Sequence, residues 1–224
     1  MGFTLVWQAV RLALLLPLLL LAPPTRGQVE GPQHELLRGV RAFRAERYEE
    51  ALAIFRRLEA QGEVREIGFY VGTTLHKLGR HEEALGAFRA AARAGLREPV
   101  AAYYQALSCY RLGMLQRARL GFASLVQGEA SPGPRLREGA RRFLQHIEAA
   151  LPGLPPGPRY AAVLAHAQAM LPGHEAIEWL EEAVLLLPYL PDRRVAAERV
   201  RALLERLPPG EDATALLRAL DTGP

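Results

Sequence analysis

Apolar residues recur three and four positions apart through most of the chain, with charged residues between them, and no stretch alternates apolar and polar one by one. The pattern predicts an all-α protein. Gly31-Pro32 opens the first periodic segment, with Pro at a position where its missing N–H costs nothing. Gly62, Gly79, Gly95, Gly113 and Gly128 each follow an apolar-periodic run, where a residue able to take positive φ ends a helix. The rhythm then breaks at Glu-Ala-Ser-Pro-Gly-Pro, residues 129–134. One amphipathic helix is expected over 135–150, with Leu136, Ala140, Phe143, Leu144 and Ile147 on one face. Its other face carries Arg135, Arg137, Arg141 and Arg142, and Glu138 stands four residues before Arg142 as a surface partner. A Pro/Gly connection, residues 151–157, leads to a hairpin over 158–187. A helix from Asp192 to Leu207, with Asp192 as N-cap candidate, and a short helix over 211–220 complete the chain.

Between residues 32 and 128 the pattern is also a repeat. Gly39 to Gly72, Ala51 to Ala84 and Phe55 to Phe88 are each offset by 33, while Ala84 to Ala118 and Phe88 to Phe122 are each offset by 34. Small residues recur at Gly39, Gly72 and Ala106, alanines at 51, 84 and 118, and large rings at Phe55, Phe88 and Phe122. In these residues the chain resembles the tetratricopeptide repeat family. The resemblance implies a right-handed α-solenoid of antiparallel helix hairpins: three repeats and a capping helix over 32–150, then a more degenerate hairpin and a capping helix over 158–207, then a tail over 208–224. In that degenerate hairpin Ala176, Leu180, Ala183 and Pro188 carry the match. The usual aromatic of the first helix is replaced by Ala42, Leu75 and Cys109, and the usual proline is absent from the first three units.

The N-terminus departs from this rhythm. Leu12 to Ala22 reads LALLLPLLLLA, with Arg11 before it and Pro23, Pro24, Thr25, Arg26 and Gly27 after it. This is the layout of a secretory signal peptide over 1–27, with Thr25 and Gly27 as the small residues before a cut at Gln28. The alternative is an uncleaved anchor helix from Phe3 to Ala22, close to the about 20 residues that cross a bilayer. Arg11 would then lie within the membrane at a cost of about 2.5 to 3.5 kcal/mol.

Composition narrows the function. Half of the 224 residues are hydrophobic and 23% are charged, as in a packed protein rather than a disordered tail. The net charge of +4 is modest, and with export it argues against nucleic acid. Lys77 is the only lysine, and there is no Asn. One cysteine, Cys109, leaves no intramolecular disulfide and no Cys-based zinc site; its position predicts a small buried hydrophobe. No phosphate-cradling glycine motif, HExxH pair or nucleophile elbow is present. Ser108 is expected to pack inside its helix. The pairs Glu49-Glu50, Glu82-Glu83 and Glu181-Glu182 are read as opening second helices, where the macrodipole favours negative charge. No catalytic, cofactor-binding or metal-ligating residue is nominated, and no cofactor is expected.

The resemblance implies that the first helix of each repeat lines a concave groove. The positions turned inward would be Gln33, Leu36, Val40, Phe43 and Arg44; then Glu66, Phe69, Thr73, His76 and Lys77; then Val100, Tyr103, Leu107, Tyr110 and Arg111. Arg44, Lys77 and Arg111 form a cationic row beside the aromatic rings of Phe43, Phe69, Tyr103 and Tyr110, which suits a peptide or helix with apolar anchors and carboxylates. The Lys and Asn of the family's carboxylate clamp are replaced by Leu36 and Val40, so that activity is not expected. The expected function is an exported, non-enzymatic scaffold for a protein or peptide partner in the periplasm or cell envelope. The alternatives are a membrane-tethered accessory or assembly factor, and an envelope enzyme with its chemistry across 129–160.

Overall fold

The computed structural model describes residues 31–62, 64, 66–128 and 133–222. The signal-peptide or anchor reading of residues 1–27 lies outside them. The described residues form eleven α-helices and no strand. These are α1 (Pro32–Arg44), α2 (Tyr48–Gln61), α3 (Ile67–Lys77), α4 (His81–Arg93), α5 (Pro99–Arg111) and α6 (Leu115–Gln127). They continue with α7 (Pro134–Ala150), α8 (Pro156–Met170), α9 (Ala176–Leu186), α10 (Arg193–Leu204) and α11 (Glu211–Thr222). Among them no helix is long and apolar enough to cross a membrane.

Consecutive helices pack on one another: α1 with α2, α3 with α4 and α5 with α6 form hairpins, the hairpins stack in chain order, and α7 lies against α6. Close helix crossing sets the spacing. A Cβ built on Gly39 would lie 2.4 Å from the Phe55 ring, and one built on Gly72 would lie 2.6 Å from the Phe88 ring. The aromatic wedge of each second helix therefore fills the space that a side chain on the first would need. Gly72→Ala is expected to cost about 1 to 3 kcal/mol of stability in urea denaturation, because Phe88 must leave its place. A loss below a few tenths of a kcal/mol would show that the crossing has slack.

Gly62, Gly79, Gly95 and Gly113 take positive φ at helix ends as the sequence predicts, but Gly128 is extended, with φ −71°. It leads the chain away from α6 toward α7. The Pro/Gly connection is tighter than expected, because Leu151–Gly153 forms a 3-10 turn and α8 begins at Pro156. Asp192 precedes α10 without a side-chain capping bond; its carbonyl accepts from the Ala196 amide at 3.1 Å. On α7, Arg142 Nε donates to Glu138 Oε1 at 3.2 Å, and Arg141 donates to the other carboxylate oxygen at 2.8 Å.

The C-terminal hairpin folds back on the array. Helix α9 packs with α8 and also against α6, and α11 packs on α9 and α10. One buried cluster runs from Ala42 to Phe88, and a second runs continuously from Leu85 to Leu207. The change of core therefore falls along α4, and the Pro/Gly connection lies within the span of the second.

Charged side chains seal this fold-back. Arg89 on α4 donates to Glu178 Oε1 at 2.7 Å, and its Nη1 lies 2.8 Å from Glu181 and 2.9 Å from Asp212. Arg93 also bonds Asp212. Arg117 on α6 contacts Glu178 at 2.6 Å and Glu181 at 2.8 Å. Glu182, fully buried, accepts from the backbone amides of Gln116 and Arg117 at 3.0 and 2.8 Å. A carboxylate of α9 thus satisfies the free N–H groups at the start of α6, a cap supplied from a distant helix. This corrects the reading of Glu181-Glu182. The pair lies in the middle of α9, whose first turn carries Glu178 instead. Glu49-Glu50 and Glu82-Glu83 do open α2 and α4.

Candidate functional site

Helices α1, α3 and α5 end on Arg44, Lys77 and Arg111. A cation in the last turn offsets the partial negative charge of the free carbonyls there, which gives each a structural reason to be present. All three are exposed, and none has a carboxylate partner among the described residues. By contrast Arg38, Arg47, Arg56, Arg80, Arg89 and Arg117, in the same three hairpins, are all paired.

The aromatic positions divide. Phe43 is half-buried and edge-on to Tyr48, centroids 5.4 Å apart, and Phe69 is edge-on to Tyr70 at 5.3 Å. Thr73 is only 3% exposed, with its hydroxyl donating to the Phe69 carbonyl at 2.8 Å, so it belongs to the wall rather than the surface. Tyr103, Leu107 and Tyr110 pack against the second core. Tyr103 is edge-on to Phe122 at 5.7 Å; Tyr110 is edge-on to Phe143 of α7 at 5.3 Å and lies 6.1 Å from His146. Helix α7 stands where the first helix of a further repeat would stand, and the rings of α5 are partly spent on holding it.

The structure gathers His76 and Lys77 at one point, together with three residues the sequence reading did not nominate, and the charge of Arg111 acts on His76 from α5. The His76 ring centroid lies 5.0 Å from that of His81, the first residue of α4, and 5.2 Å from that of Tyr104 on α5. His76 Nδ1 is 2.8 Å from Ser108 Oγ, and the Lys77 ammonium is 6.0 Å from the Tyr104 centroid. His81 had one legible signal: the short turn Leu78-Gly79-Arg80 brings it back toward His76. Tyr104 and Ser108 had none, since each enters through the stacking of one hairpin on the next.

Burial, His81, Lys77 and Arg111 together lower the His76 pKa to about 4. Burial and Arg111 also lower that of His81. His76 is therefore neutral in the folded chain at pH 7. Between its folded value of about 4 and an ordinary unfolded value near about 6.5, the unfolded chain binds the proton first, so stability falls as pH falls through that window. The melting temperature is expected to drop from pH 7 to pH 5, and His76→Gln is expected to flatten that slope. An unchanged slope in the variant would assign the effect elsewhere.

Ser108 is fully buried, so its bond to His76 faces the interior, as does Cys109, which is 2% exposed with burial pushing its thiol up to about 12. Such a thiol is protonated at neutral pH and unreactive. Among the described residues no three His, Cys, Asp or Glu side chains are placed to hold a metal ion. Two further concavities lie toward the C-terminal hairpin. One of about 450 Å³ is walled by α4, α9 and α11, with Arg89, Arg93, Glu178 and Asp212 in its lining. The other, about 500 Å³, is mostly apolar, between α5, α6, α9 and α11.

Comparison with protein-family models, curated proteins and solved structures gave no match. The fold itself defines the class: a helical repeat-like array with consecutive helix packing, compatible with a tetratricopeptide-like solenoid.

Proposed function

We propose that the chain is an exported tetratricopeptide-type scaffold whose first helices hold an acidic peptide or helix in a concave groove. The observation that carries this reading is the row of exposed cations Arg44, Lys77 and Arg111, none with a carboxylate partner among the described residues. Arg41, Arg97 and Arg119 also lack a carboxylate among the described residues; the row differs from them in closing three successive first helices, where it is open to carboxylates from outside. Phe43 and Phe69, half-buried beside it, offer apolar contact to the same ligand. Residues 1–27 act as a signal peptide in this reading, the solenoid is right-handed, and the scaffold serves a complex of the periplasm or cell envelope.

The experiment is capture of partners by crosslinking from native envelope extract. The wild-type chain is compared with an Arg44→Glu, Lys77→Glu, Arg111→Glu triple variant and with the corresponding Gln triple. The Glu changes place negative charge at three helix C-termini, costing about 0.3 to 1 kcal/mol each. The Gln triple spares most of that. Capture lost in both variants, at unchanged helicity, is the expected result. A partner retained by both moves the interface to another face.

A further inference from the structure

The groove holds one cluster that helix-end electrostatics do not explain. The C-terminal carbonyls of α3 and α5 account for Lys77 and Arg111. They do not account for two imidazoles brought together beside these cations. His76 and His81 sit 5.0 Å apart across the α3–α4 turn, Tyr104 closes one side, and the charge of Arg111 reaches both rings. Ser108 occupies His76 Nδ1, which leaves Nε2 with no protein partner among the described residues. His81 Nδ1 is shielded from solvent and has no hydrogen-bond partner among the described residues.

The charges facing the imidazoles are all positive. Lys77 comes from α3 and Arg111 from α5, with the neutral Tyr104 beside them. At the start of α4, Arg80 and Glu83 bond each other at 2.6 Å, and Glu49 of α2 acts on Arg80. Glu82 lines the cleft with Arg89 and Arg93. A carboxylate is the group this cluster lacks.

We propose that His76, His81, Lys77 and Arg111 form the carboxylate subsite of the groove, and that an acidic side chain of the partner docks there with uptake of a proton by the imidazole pair. The proposal rests on the groove reading and adds its regulation: the complex tightens in mild acid. A carboxylate beside the rings favours the imidazolium that burial and the neighbouring cations disfavour in the free protein. The proton enters because the ligand arrives.

The probe is a fluorescein-labelled, acetylated decapeptide of alternating Asp and Leu, whose carboxylates stay ionised at pH 5. Binding to the purified protein is read by anisotropy at pH 7 and pH 5. Carbodiimide coupling of the peptide to Lys77, the only lysine, is mapped by mass spectrometry. Affinity is expected to rise about tenfold from pH 7 to pH 5. Coupling should fall on Lys77, and His76→Gln with His81→Gln should flatten the pH profile, so that the ratio of the pH 5 to the pH 7 affinity falls to about one. A flat profile in the wild-type chain with Lys77 still coupled overturns the proton-linked subsite and leaves the groove standing. Binding unchanged in the Arg44, Lys77, Arg111 Glu triple overturns the groove and the subsite with it, as does no binding at either pH. Displacement by inorganic phosphate but not by acetate overturns the carboxylate assignment.

Discussion

Arg117→Ala is expected to destabilise the chain by about 3 kcal/mol, because the buried Glu178 loses one of its two cations and keeps only Arg89. The Arg117 side chain is 10% exposed and that of Glu178 is 4% exposed. Burial alone would lower the Arg117 guanidinium; the carboxylates Glu178 and Glu181 hold it above its ordinary value instead. Burial would raise Glu178, but Arg117 and Arg89 keep it below the usual carboxylate range. The variant also removes a bond from Arg117 to the Glu178 carbonyl at 2.9 Å. Because these contacts join α6 to α9, the loss should appear first as exchange of protected amides in α9 and α11. Urea denaturation with hydrogen exchange makes the measurement.

The same network sets an acid limit. Glu178 has a folded pKa below its unfolded one, so its stabilisation is present above the ordinary carboxylate range and disappears as pH falls through the folded value. A double change, Arg117→Met with Glu178→Met, should recover much of the single-variant loss, since it removes both charges and fills the space with apolar atoms. Arg89 would keep Glu181 and Asp212. A double variant as unstable as Arg117→Ala would show that shape, rather than unpaired charge, carries the cost.

The repeats were legible because their signal is local. Gly39 with Phe55 and Gly72 with Phe88 are short-range pairs whose spacing is written along the chain, and the structure places each glycine against its ring. The fold-back of α9 was not legible. Its contacts join Arg89 to Glu178 and Arg117 to Glu182, residues tens of positions apart with no periodicity to link them. Glu182 looks like a helix-opening acid in sequence and is an internal carboxylate capping another helix in space. Local rules place charge on a helix; only packing says which helix end it meets.

Of the proposed groove, the ends were legible in the sequence and the middle was not. Arg44, Lys77 and Arg111 close their helices, so their exposure follows from helix register. Tyr103 and Tyr110 depend on what lies beyond the third repeat, and the basic, amphipathic α7 does not announce in sequence that its Phe143 faces Tyr110 and its Gly139 lies against Tyr103. The His76–His81 cluster was split between two helices and escaped a search by helical spacing, since the intervening turn, not the helix, brings the rings together.

Phe122→Ala is expected to cost about 3 to 5 kcal/mol, which lowers the melting temperature by about 10 °C in a chain of this size. The ring is fully buried and touches two neighbouring helices at once. It lies in α6, stacks on Phe143 of α7 with centroids 5.1 Å apart and planes 11° from parallel, and meets Tyr103 of α5 edge-on. Phe55, equally buried at the matching place in the first hairpin, has Tyr70 of the next hairpin at 5.2 Å, tilted by 30°. Truncating either ring leaves a cavity, but only Phe122→Ala withdraws support from the helix that closes the array. Exchange protection around Phe143 and Ile147 should therefore fall in Phe122→Ala and stay near wild type in Phe55→Ala. Tyr103 and Tyr110 would then lose the surface they pack on, and any ligand held along α5 would bind more weakly at temperatures where the chain is still folded. Equal loss of α7 protection in the two variants would mean that the array unfolds as one unit and that Phe122 has no separate hold on its end.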